Sequence, residues 1–211
     1  MKDIKDELQH IILGDGPPGQ TDYLKKTQVF LRRHAETNFA AQKQQRFKSE
    51  EATELLKFAK AEGILYRDEI NEADFIAAGA EQRVYRYDDR RVIKTNNSVF
   101  YEYWLDYFNS LLINNYFFPA TAYTFLGFKT IANELYAVIE QEFIPTTGPT
   151  DLNAVRQFLG YNHFANSRNN DYINKQLGLI FEDLHDENVI TNNGVLFFID
   201  TIFYLTEEFY Q

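Results

Sequence analysis

The sequence predicts an α+β protein, and three observations carry this prediction. Residues 23–62 place apolar side chains at the three- and four-residue spacing that is typical of helices. From residue 75 onward, short runs rich in β-branched and aromatic residues alternate with turn residues, which indicates antiparallel strands. The 211 residues are 45% hydrophobic and 16% aromatic, so the chain can bury a core and is not a disordered polypeptide.

Two helices are predicted in the first third of the chain. Residues 23–47 carry apolar groups near helical spacing among many Gln and Lys residues, which favours an exposed helix. The second helix has Ser49 as its N-cap, acidic residues in its first turn and Gly63 as its stop. We therefore expect residues 1–74 to form an N-terminal helical extension.

A small antiparallel sheet that is interrupted by one helix follows this extension. Turn residues at Gly79 and at Asp88-Asp89 separate the first three strands. The helix has a broad apolar face between Tyr101 and Leu112. The predicted strands around it are residues 75–77, 83–87, 91–95, 121–128 and 134–144.

The last third of the chain is predicted to contain a connector, a helix, a loop and short strands. Asp151 can cap a helix that runs to residue 158, and the Asn-Asn-Gly turn that ends at Gly194 predicts a hairpin. The predicted segments are a connector at 145–150, a loop at 160–174 and strands at 179–181, 189–190 and 195–199.

Composition excludes several classes of function. With 21 basic and 31 acidic residues the net charge is −10, so a nucleic-acid or anionic-membrane partner is disfavoured by repulsion. The absence of Cys excludes disulfides, thiolate metal sites and a Cys nucleophile. The N-terminus shows neither a signal peptide nor a membrane span, so we expect a soluble cytoplasmic protein.

A set of three oxygen-bearing side chains near the C-terminus indicates a magnesium site. Asp183 and Asn188 lie in a polar loop, and Asp200 ends an apolar strand after the intervening turn. Mg²⁺ prefers hard oxygen ligands and usually takes one or two protein carboxylates together with substrate phosphates. This pattern therefore suits phosphoryl transfer, in which Asp183 would orient the accepting hydroxyl.

Phosphoryl transfer also needs a cation for the phosphates and a turn that approaches them closely. Lys94 lies in the third predicted strand on the same face as Val92, and Gly79 lies in the first hairpin turn. If Val92 packs inward, Lys94 points toward the cleft, and a lysine in such a place needs an acidic partner. Glu102 on the apolar helix is the first candidate, and Asp106 one turn later is the second.

In this order, the features resemble the protein-kinase-like superfamily. The sequence segments EDLHDENV and NGVLFFIDT most resemble those of the polyvalent protein kinase domain, which is found in proteins of phages and mobile elements of Bacteroides-type bacteria. The resemblance covers roughly residues 75–205. The matching segments are GAEQRVY from Gly79, VIK ending at Lys94, the helix with Glu102, VIEQEF with Gln141 and Glu142, EDLHDEN with Asp183 and Asn188, and FID ending at Asp200.

The resemblance implies a bilobal kinase-like fold that binds ATP and magnesium between its lobes. It implies a small antiparallel N-lobe sheet with one αC-like helix at residues 75–144, and a truncated C-lobe at residues 145–211, preceded by the N-terminal helices. The implied roles are Asp183 and Lys94 as catalytic residues, Asn188 and Asp200 as metal ligands, and Gly79, Lys94, Glu102, Gln141 and Glu142 as nucleotide contacts.

The chain departs from common kinase patterns at three places. Phe181-Glu182-Asp183 stands where His-Arg-Asp is common, and DLHDEN looks more like the aminoglycoside and choline phosphotransferases. The turn at Gly79 has one glycine rather than three. Thr201 follows Asp200 in place of Phe-Gly, and the eleven residues after Asp200 give no activation segment.

Three functions fit these observations. The first is an ATP- and Mg-dependent phosphotransferase that acts on the hydroxyl of a protein acceptor. The second is an inactive, pseudokinase-like binding or scaffold module that uses residues 23–47 to bind a partner. The third is a small-molecule kinase of the aminoglycoside or choline phosphotransferase type.

Overall fold

The computed structural model describes residues 1–16, 22–41, 48–79 and 81–211, with the backbone alone for residues 38–41. Contacts divide the chain into two compact units. The sheet unit consists of Asp15–Phe108 and Tyr123–Phe143. The C-terminal unit consists of Met1–Gly14, Asn109–Ala122 and Ile144–Gln211. The predicted domain boundary at residue 74 stays a prediction.

The described part of the chain begins with three helices, α1 (Lys2–Leu13), α2 (Tyr23–Ala41) and α3 (Lys48–Glu62). The sequence predicted only the last two. Residues 42–47, the end of the first predicted helix, lie outside the described residues. Gly63 ends α3 with a φ of +71°, a left-handed conformation that favours glycine, as predicted.

The expectation that α2 is exposed is wrong for its first half. Leu24 and Leu31 are buried, and so are the polar side chains of Lys25, Thr27 and Gln28. The many polar residues suggested a solvated surface, but the apolar positions between them pack into the sheet unit, and the polar ones are buried with them. Polar composition alone therefore gave the wrong prediction of exposure.

The sheet unit contains a five-stranded antiparallel sheet of order β1-β2-β3-β5-β4, which confirms the predicted hairpins. Its strands are β1 (Phe75–Ala78), β2 (Gln82–Arg86), β3 (Arg91–Asn96), β4 (Thr124–Ile131) and β5 (Glu134–Glu142). Aromatic rings fill the core: Phe108 meets Phe125 edge-on with ring centroids 5.1 Å apart, and Phe125 meets Phe128 at 5.0 Å.

Helix α4 (Trp104–Phe117) lies between β3 and β4 in the chain, as predicted, but it begins later than the apolar spacing suggested. Tyr101 is buried ahead of the helix rather than inside it. Residues 104–108 of α4 belong to the sheet unit and residues 109–117 to the C-terminal unit.

The C-terminal unit holds helix α5 (Leu152–Tyr161), which Asp151 caps as predicted, and six short strands. A four-stranded antiparallel sheet has the order β11-β8-β7-β6, and β9 pairs with β10 in a hairpin. The strands are β6 (Ala165–Arg168), β7 (Asp171–Asn174), β8 (Leu179–Glu182), β9 (Val189–Asn192), β10 (Val195–Phe198) and β11 (Ile202–Leu205).

The prediction of a loop at residues 160–174 is wrong, because β6 and β7 form a hairpin there. All four residues of β6 are exposed, so no alternation of apolar residues marks it in the sequence. The strand β11 was not predicted either, since the last predicted strand ends at residue 199.

Helix α1 packs within the C-terminal unit. Its residues Leu8 and Ile12 are buried, and Lys5 and Gln9 donate hydrogen bonds of 2.6 and 2.5 Å to the carbonyls of residues 208 and 209. In the described part of the chain, no helix is both long and apolar enough to span a membrane.

Candidate functional site

Four strand ends meet in the C-terminal unit, and they bring the three predicted chain positions together. Phe198, the last residue of β10, lies opposite Val189, the first of β9. Ile202, the first of β11, lies opposite Glu182, the last of β8. The loops 183–188 and 199–201 therefore leave the strands at one junction, which carries Asp183, Asn188 and Asp200.

Direct hydrogen bonds hold Asp183 and Asn188 together. The side-chain amide of Asn188 donates to the Asp183 carbonyl at 2.8 Å and to the carboxylate oxygen Oδ2 at 3.0 Å. The Ile199 N–H donates to the Asn188 carbonyl at 3.0 Å, which joins the two loops. Asn188 is buried. Its amide N–H groups are used within the loop, so Oδ1 is the atom of this side chain that can face a cation.

The backbone of Asp183 adopts an uncommon conformation. Its φ is +63°, in the left-handed region that non-glycine residues seldom occupy. Asp171 accepts a 3.0 Å hydrogen bond from the Asp183 N–H through its Oδ1, which stabilises this turn.

The His185 ring lies beside the hydrogen-bonded pair of Asp183 and Asn188. The His185 Nδ1 accepts a hydrogen bond from the Glu187 N–H at 3.2 Å. Nε2 lies 3.3 Å from Asp183 Oδ1 and 3.2 Å from the side-chain amide nitrogen of Asn188. The two carboxylate oxygens of Asp183 thus have different neighbours, the His185 ring for Oδ1 and the Asn188 amide N–H for Oδ2.

The surroundings of Asp183 are acidic. Burial, and to a smaller degree the charges of Asp171 and Asp183, raise the pKa of Glu182 above its ordinary value. The half-buried Asp200 follows β10 at the same junction. This negative potential favours a bound cation.

The oxygen donors at this junction fit a magnesium ion whose remaining ligands come from phosphates. Asn188 offers an amide oxygen and Asp200 a carboxylate, both of the hard type that Mg²⁺ prefers. No group of three or more His, Cys, Asp or Glu side chains with metal-binding geometry occurs in the described residues. Two protein oxygens would leave the other positions of an octahedral Mg²⁺ ion to phosphates and water.

In the sheet unit, Lys94 lies in the middle of β3 and is only 4% exposed. Its strand neighbours are Val84 on β2 and Ile139 on β5, and its Nζ lies 5.5 Å from the ring centroid of Tyr123. Both faces of β3 are buried, because Ile93 is covered as well as Lys94. The lysine is therefore interior, and the pleat alone does not distinguish the two faces.

The expectation that Glu102 lies on the apolar helix is wrong. The helix begins at Trp104, and Glu102 is exposed in the bend before it. Asp106 does lie in the first turn of α4, where its Oδ2 accepts the Tyr103 N–H at 3.1 Å. The pairing of Lys94 with either acid stays a prediction.

Two residues of α3 that were not among the predicted site residues shape the start of α4. Lys48 donates hydrogen bonds through Nζ to the carbonyls of Ser98 and Tyr101. Burial lowers the pKa of Lys48, and the nearby carboxylates of Glu81 and Asp106 oppose this shift. Glu51 also contacts α4, because its carboxylate accepts a hydrogen bond from the Trp104 N–H. No sequence signal distinguishes these residues from ordinary helix-surface charges.

The remaining predicted nucleotide contacts also lie in the sheet unit. Gly79 forms the turn between β1 and β2, where its N–H donates to the Gln82 carbonyl at 2.9 Å. A side-chain Cβ at Gly79 would meet nothing within 4 Å, so its backbone does not require glycine there. Gln141 is buried and Glu142 is exposed at the end of β5.

Comparison with known protein families gave a match that covers most of the chain. A family described as a serine/threonine/tyrosine kinase found in polyvalent proteins matches residues 48–207, from the first residue of α3 to a point just after β11. The matched range includes every predicted site residue. No curated protein and no solved structure matched the chain.

Proposed function

Because the chain belongs to the family of serine/threonine/tyrosine kinases found in polyvalent proteins, we propose that it transfers the γ-phosphoryl group of ATP to a hydroxyl acceptor. The observation that supports this most is the hydrogen-bonded pair Asp183 and Asn188 at the junction that also carries Asp200. Catalysis of phosphoryl transfer depends mainly on positioning and charge stabilisation, and this junction supplies positioned oxygen groups.

In this proposal the sheet unit is the nucleotide lobe and the C-terminal unit is the acceptor lobe. Lys94 binds the α and β phosphates. Asn188 Oδ1 and the Asp200 carboxylate hold Mg²⁺, which when bound neutralises charge on the transferred phosphoryl group. The further proposed nucleotide contacts are Gly79, Glu102, Gln141 and Glu142.

Asp183 orients the acceptor hydroxyl and receives its proton as the new P–O bond forms and the bond to ADP breaks. Its side chain is 53% exposed, so an acceptor can reach the carboxylate. The hydrogen bond from Asn188 to Oδ2 and the His185 ring beside Oδ1 limit the rotation of this carboxylate. A fixed orientation lowers the entropic cost of aligning the reacting groups.

Thermal unfolding with and without MgATP tests the nucleotide site. Ligand at about 100-fold above its Kd adds roughly 2.7 kcal/mol, which raises the Tm of a chain of this size by about 5 to 11 °C. We expect a magnesium-dependent rise of this size in the wild type and its loss in Asp200→Ala. Asp186→Asn removes a neighbouring exposed carboxylate of the same loop, so this matched control should keep the rise.

Turnover tests the chemistry separately from binding. Water can serve as the acceptor, so release of phosphate from ATP can be measured before the natural acceptor is identified. We expect Asp183→Asn to retain the MgATP-dependent rise in Tm and to lose turnover by a factor of about 100 or more. Wild-type turnover in Asp183→Asn would contradict the assignment of Asp183 as the base.

A second candidate, a binding or scaffold module without activity, is favoured by the exposed position of Glu102 and the single glycine at the Gly79 turn. Both features would weaken the binding of nucleotide phosphates. No change in Tm at millimolar MgATP, together with no turnover, would support this candidate. A small-molecule acceptor, suggested by DLHDEN, is distinguished from a protein acceptor by a screen of hydroxylated metabolites and basic aminocyclitols for ATP-dependent phosphorylation.

A further inference from the structure

The residue that follows Asp200 is anchored to α4. Thr201 Oγ1 donates a 2.9 Å hydrogen bond to the side-chain oxygen Oδ1 of Asn114. Thr201 is 5% exposed and Asn114 is fully buried. The hydroxyl therefore links the loop 199–201 directly to a helix in the interior of the C-terminal unit.

Further hydrogen bonds fix both strands that flank this loop. On the upstream side, Thr121 Oγ1 donates to the Phe198 carbonyl at 2.6 Å. On the downstream side, the Phe203 N–H donates to Ser110 Oγ at 2.9 Å. Asn114 joins the two sides, because its Nδ2 lies 3.3 Å from the carbonyl of Thr121.

These groups are buried, so water cannot take the place of a missing partner. Ser110, Asn114, Thr121 and Thr201 are each 5% exposed or less. A buried amide or hydroxyl that loses its partner carries an unmet desolvation cost. The network is therefore stable only when each of these groups makes its hydrogen bond. These bonds fix the backbone on both sides of residue 200.

We propose that Asn114 and Thr201 are positioning residues that hold Asp200 in the orientation needed to bind the nucleotide-associated metal ion. This inference rests on the proposed function, since it gives Asp200 a metal to bind. Neither residue touches the metal or the nucleotide. They act through the backbone, because Thr201 is bonded covalently to Asp200 and by its hydroxyl to α4.

Substitutions at position 201 can show that the bond to Asn114 requires a hydroxyl group. A valine has nearly the same shape as threonine but cannot donate, so Thr201→Val would leave the buried Asn114 Oδ1 without the bond from residue 201. A serine keeps the donor and removes only a methyl group. Comparing these two variants separates the hydrogen bond from the packing of the side chain.

The experiment measures the Mg²⁺ concentration that half-saturates nucleotide binding, using ATP and the full chain. The variants are Thr201→Val, Thr201→Ala and Thr201→Ser. The matched control is Thr27→Val, because the Thr27 side chain is also fully buried but its hydroxyl has no hydrogen-bond partner among the described residues. Amide hydrogen exchange of residues 199–203 is measured on the same proteins.

We expect Thr201→Val to raise the half-saturating Mg²⁺ concentration about tenfold or more, which is the usual effect of losing a group that orients a metal ligand. Its amides at 199–203 should exchange faster. Thr201→Ser and Thr27→Val should stay within about twofold of the wild type. Thr201→Ala reports the same loss if the valine variant fails to fold.

Two results would overturn the inference, and they differ in what else they overturn. If the wild type shows Mg²⁺-dependent nucleotide binding and neither Thr201→Val nor Thr201→Ala changes its Mg²⁺ dependence, the positioning role is wrong and the proposed function stands. If the wild type shows no Mg²⁺-dependent nucleotide binding at all, the proposed function fails and the positioning role fails with it.

Discussion

The carboxylate of Glu51 in α3 accepts a 2.8 Å hydrogen bond from the backbone N–H of Trp104, the first residue of α4. The first N–H groups of a helix have no partner within the helix, so a side chain from elsewhere must satisfy them when they are buried. Glu51 is 1% exposed and Trp104 is 2% exposed. Helix α3 thus supplies the N-terminal cap of α4.

Removing the Glu51 cap is expected to destabilise the protein. Glu51→Ala should lower the free energy of unfolding by about 1 to 3 kcal/mol, because the buried Trp104 N–H loses its acceptor. Glu51→Gln should lose less, since its amide oxygen can still accept. Glu50→Ala removes an exposed acid of the same helical turn and serves as the control. Urea unfolding measures all three, and equal losses for Glu50→Ala and Glu51→Ala would contradict the capping role.

Gly178 permits a close backbone approach between the turn before β8 and the C-terminal segment. Its φ is +70°, and a Cβ there would lie 2.1 Å from the backbone nitrogen of Phe209. Gly178→Ala should therefore cost about 2 to 4 kcal/mol, from the left-handed backbone and from the clash together. Gly194 has a φ of +78°, and a Cβ there would meet nothing within 4 Å, so Gly194→Ala isolates the backbone cost. Urea unfolding measures the free energy of unfolding of both variants. Equal losses would show that the backbone at Phe209 moves to accommodate the Cβ at little cost.

Lys25 is expected to make the free energy of unfolding change with pH in the alkaline range. Burial, and then the charge of Arg32, lower the pKa of Lys25 to about 8 from its ordinary 10.5, while Asp15 and Asp22 oppose the shift. Between these two pH values the unfolded chain binds more protons than the folded chain, so stability contributed by this group rises with pH. Below pH 8 the Lys25 side chain is protonated in both the folded and the unfolded chain, so this gain in stability is absent.

The test compares wild type with Lys25→Met by urea unfolding from pH 7 to 10.5. The free energy of unfolding of the wild type should rise relative to that of the variant across this range. Lys26→Met controls for the loss of one lysine charge, since Lys26 is partly exposed and pairs with Glu62 at 2.5 Å. A difference between wild type and Lys25→Met that does not change with pH would contradict the lowered pKa.

How much of this structure could be predicted depended on whether local patterns or distant contacts determine each part. The five-stranded sheet was predictable because its strands alternate with clear turn residues. Strand β6 was not, because its exposed polar residues acquire their conformation only by pairing with β7. Helix α1 was missed because its short apolar patch, with Leu8 and Ile12, is stabilised by packing within the C-terminal unit.

The candidate site shows the same division between local and distant causes. The family resemblance is confirmed, and the spacing of Asp183, Asn188 and Asp200 predicted three residues that the strand register brings to one junction. The surroundings of these residues were not predictable. Neither the cap from Glu51 nor the anchor from Asn114 follows a local pattern, because each joins residues more than 50 positions apart.

Asn188 is expected to serve two purposes that different substitutions can separate. Its amide N–H groups hold Asp183, and its Oδ1 is the proposed metal ligand. Asn188→Asp keeps an oxygen ligand but loses both donors and places a second carboxylate beside Asp183, so the two charges repel. Asn188→Ala loses the donors and the ligand together.

We therefore expect Asn188→Asp to retain the Mg²⁺-dependent rise in Tm with ATP and to lose turnover by about 100-fold, since Asp183 is no longer held. Asn188→Ala should lose both the rise and the turnover. Asn192→Ala, which alters a partly exposed asparagine bonded to the Pro145 carbonyl in the same hairpin, should change neither. If Asn188→Asp instead loses Mg²⁺-dependent binding and Asn188→Ala keeps it, Oδ1 is not a metal ligand. In that case the hydrogen bonds to Asp183 would be the sole contribution of this side chain, and Asp200 would hold the metal with phosphate oxygens alone.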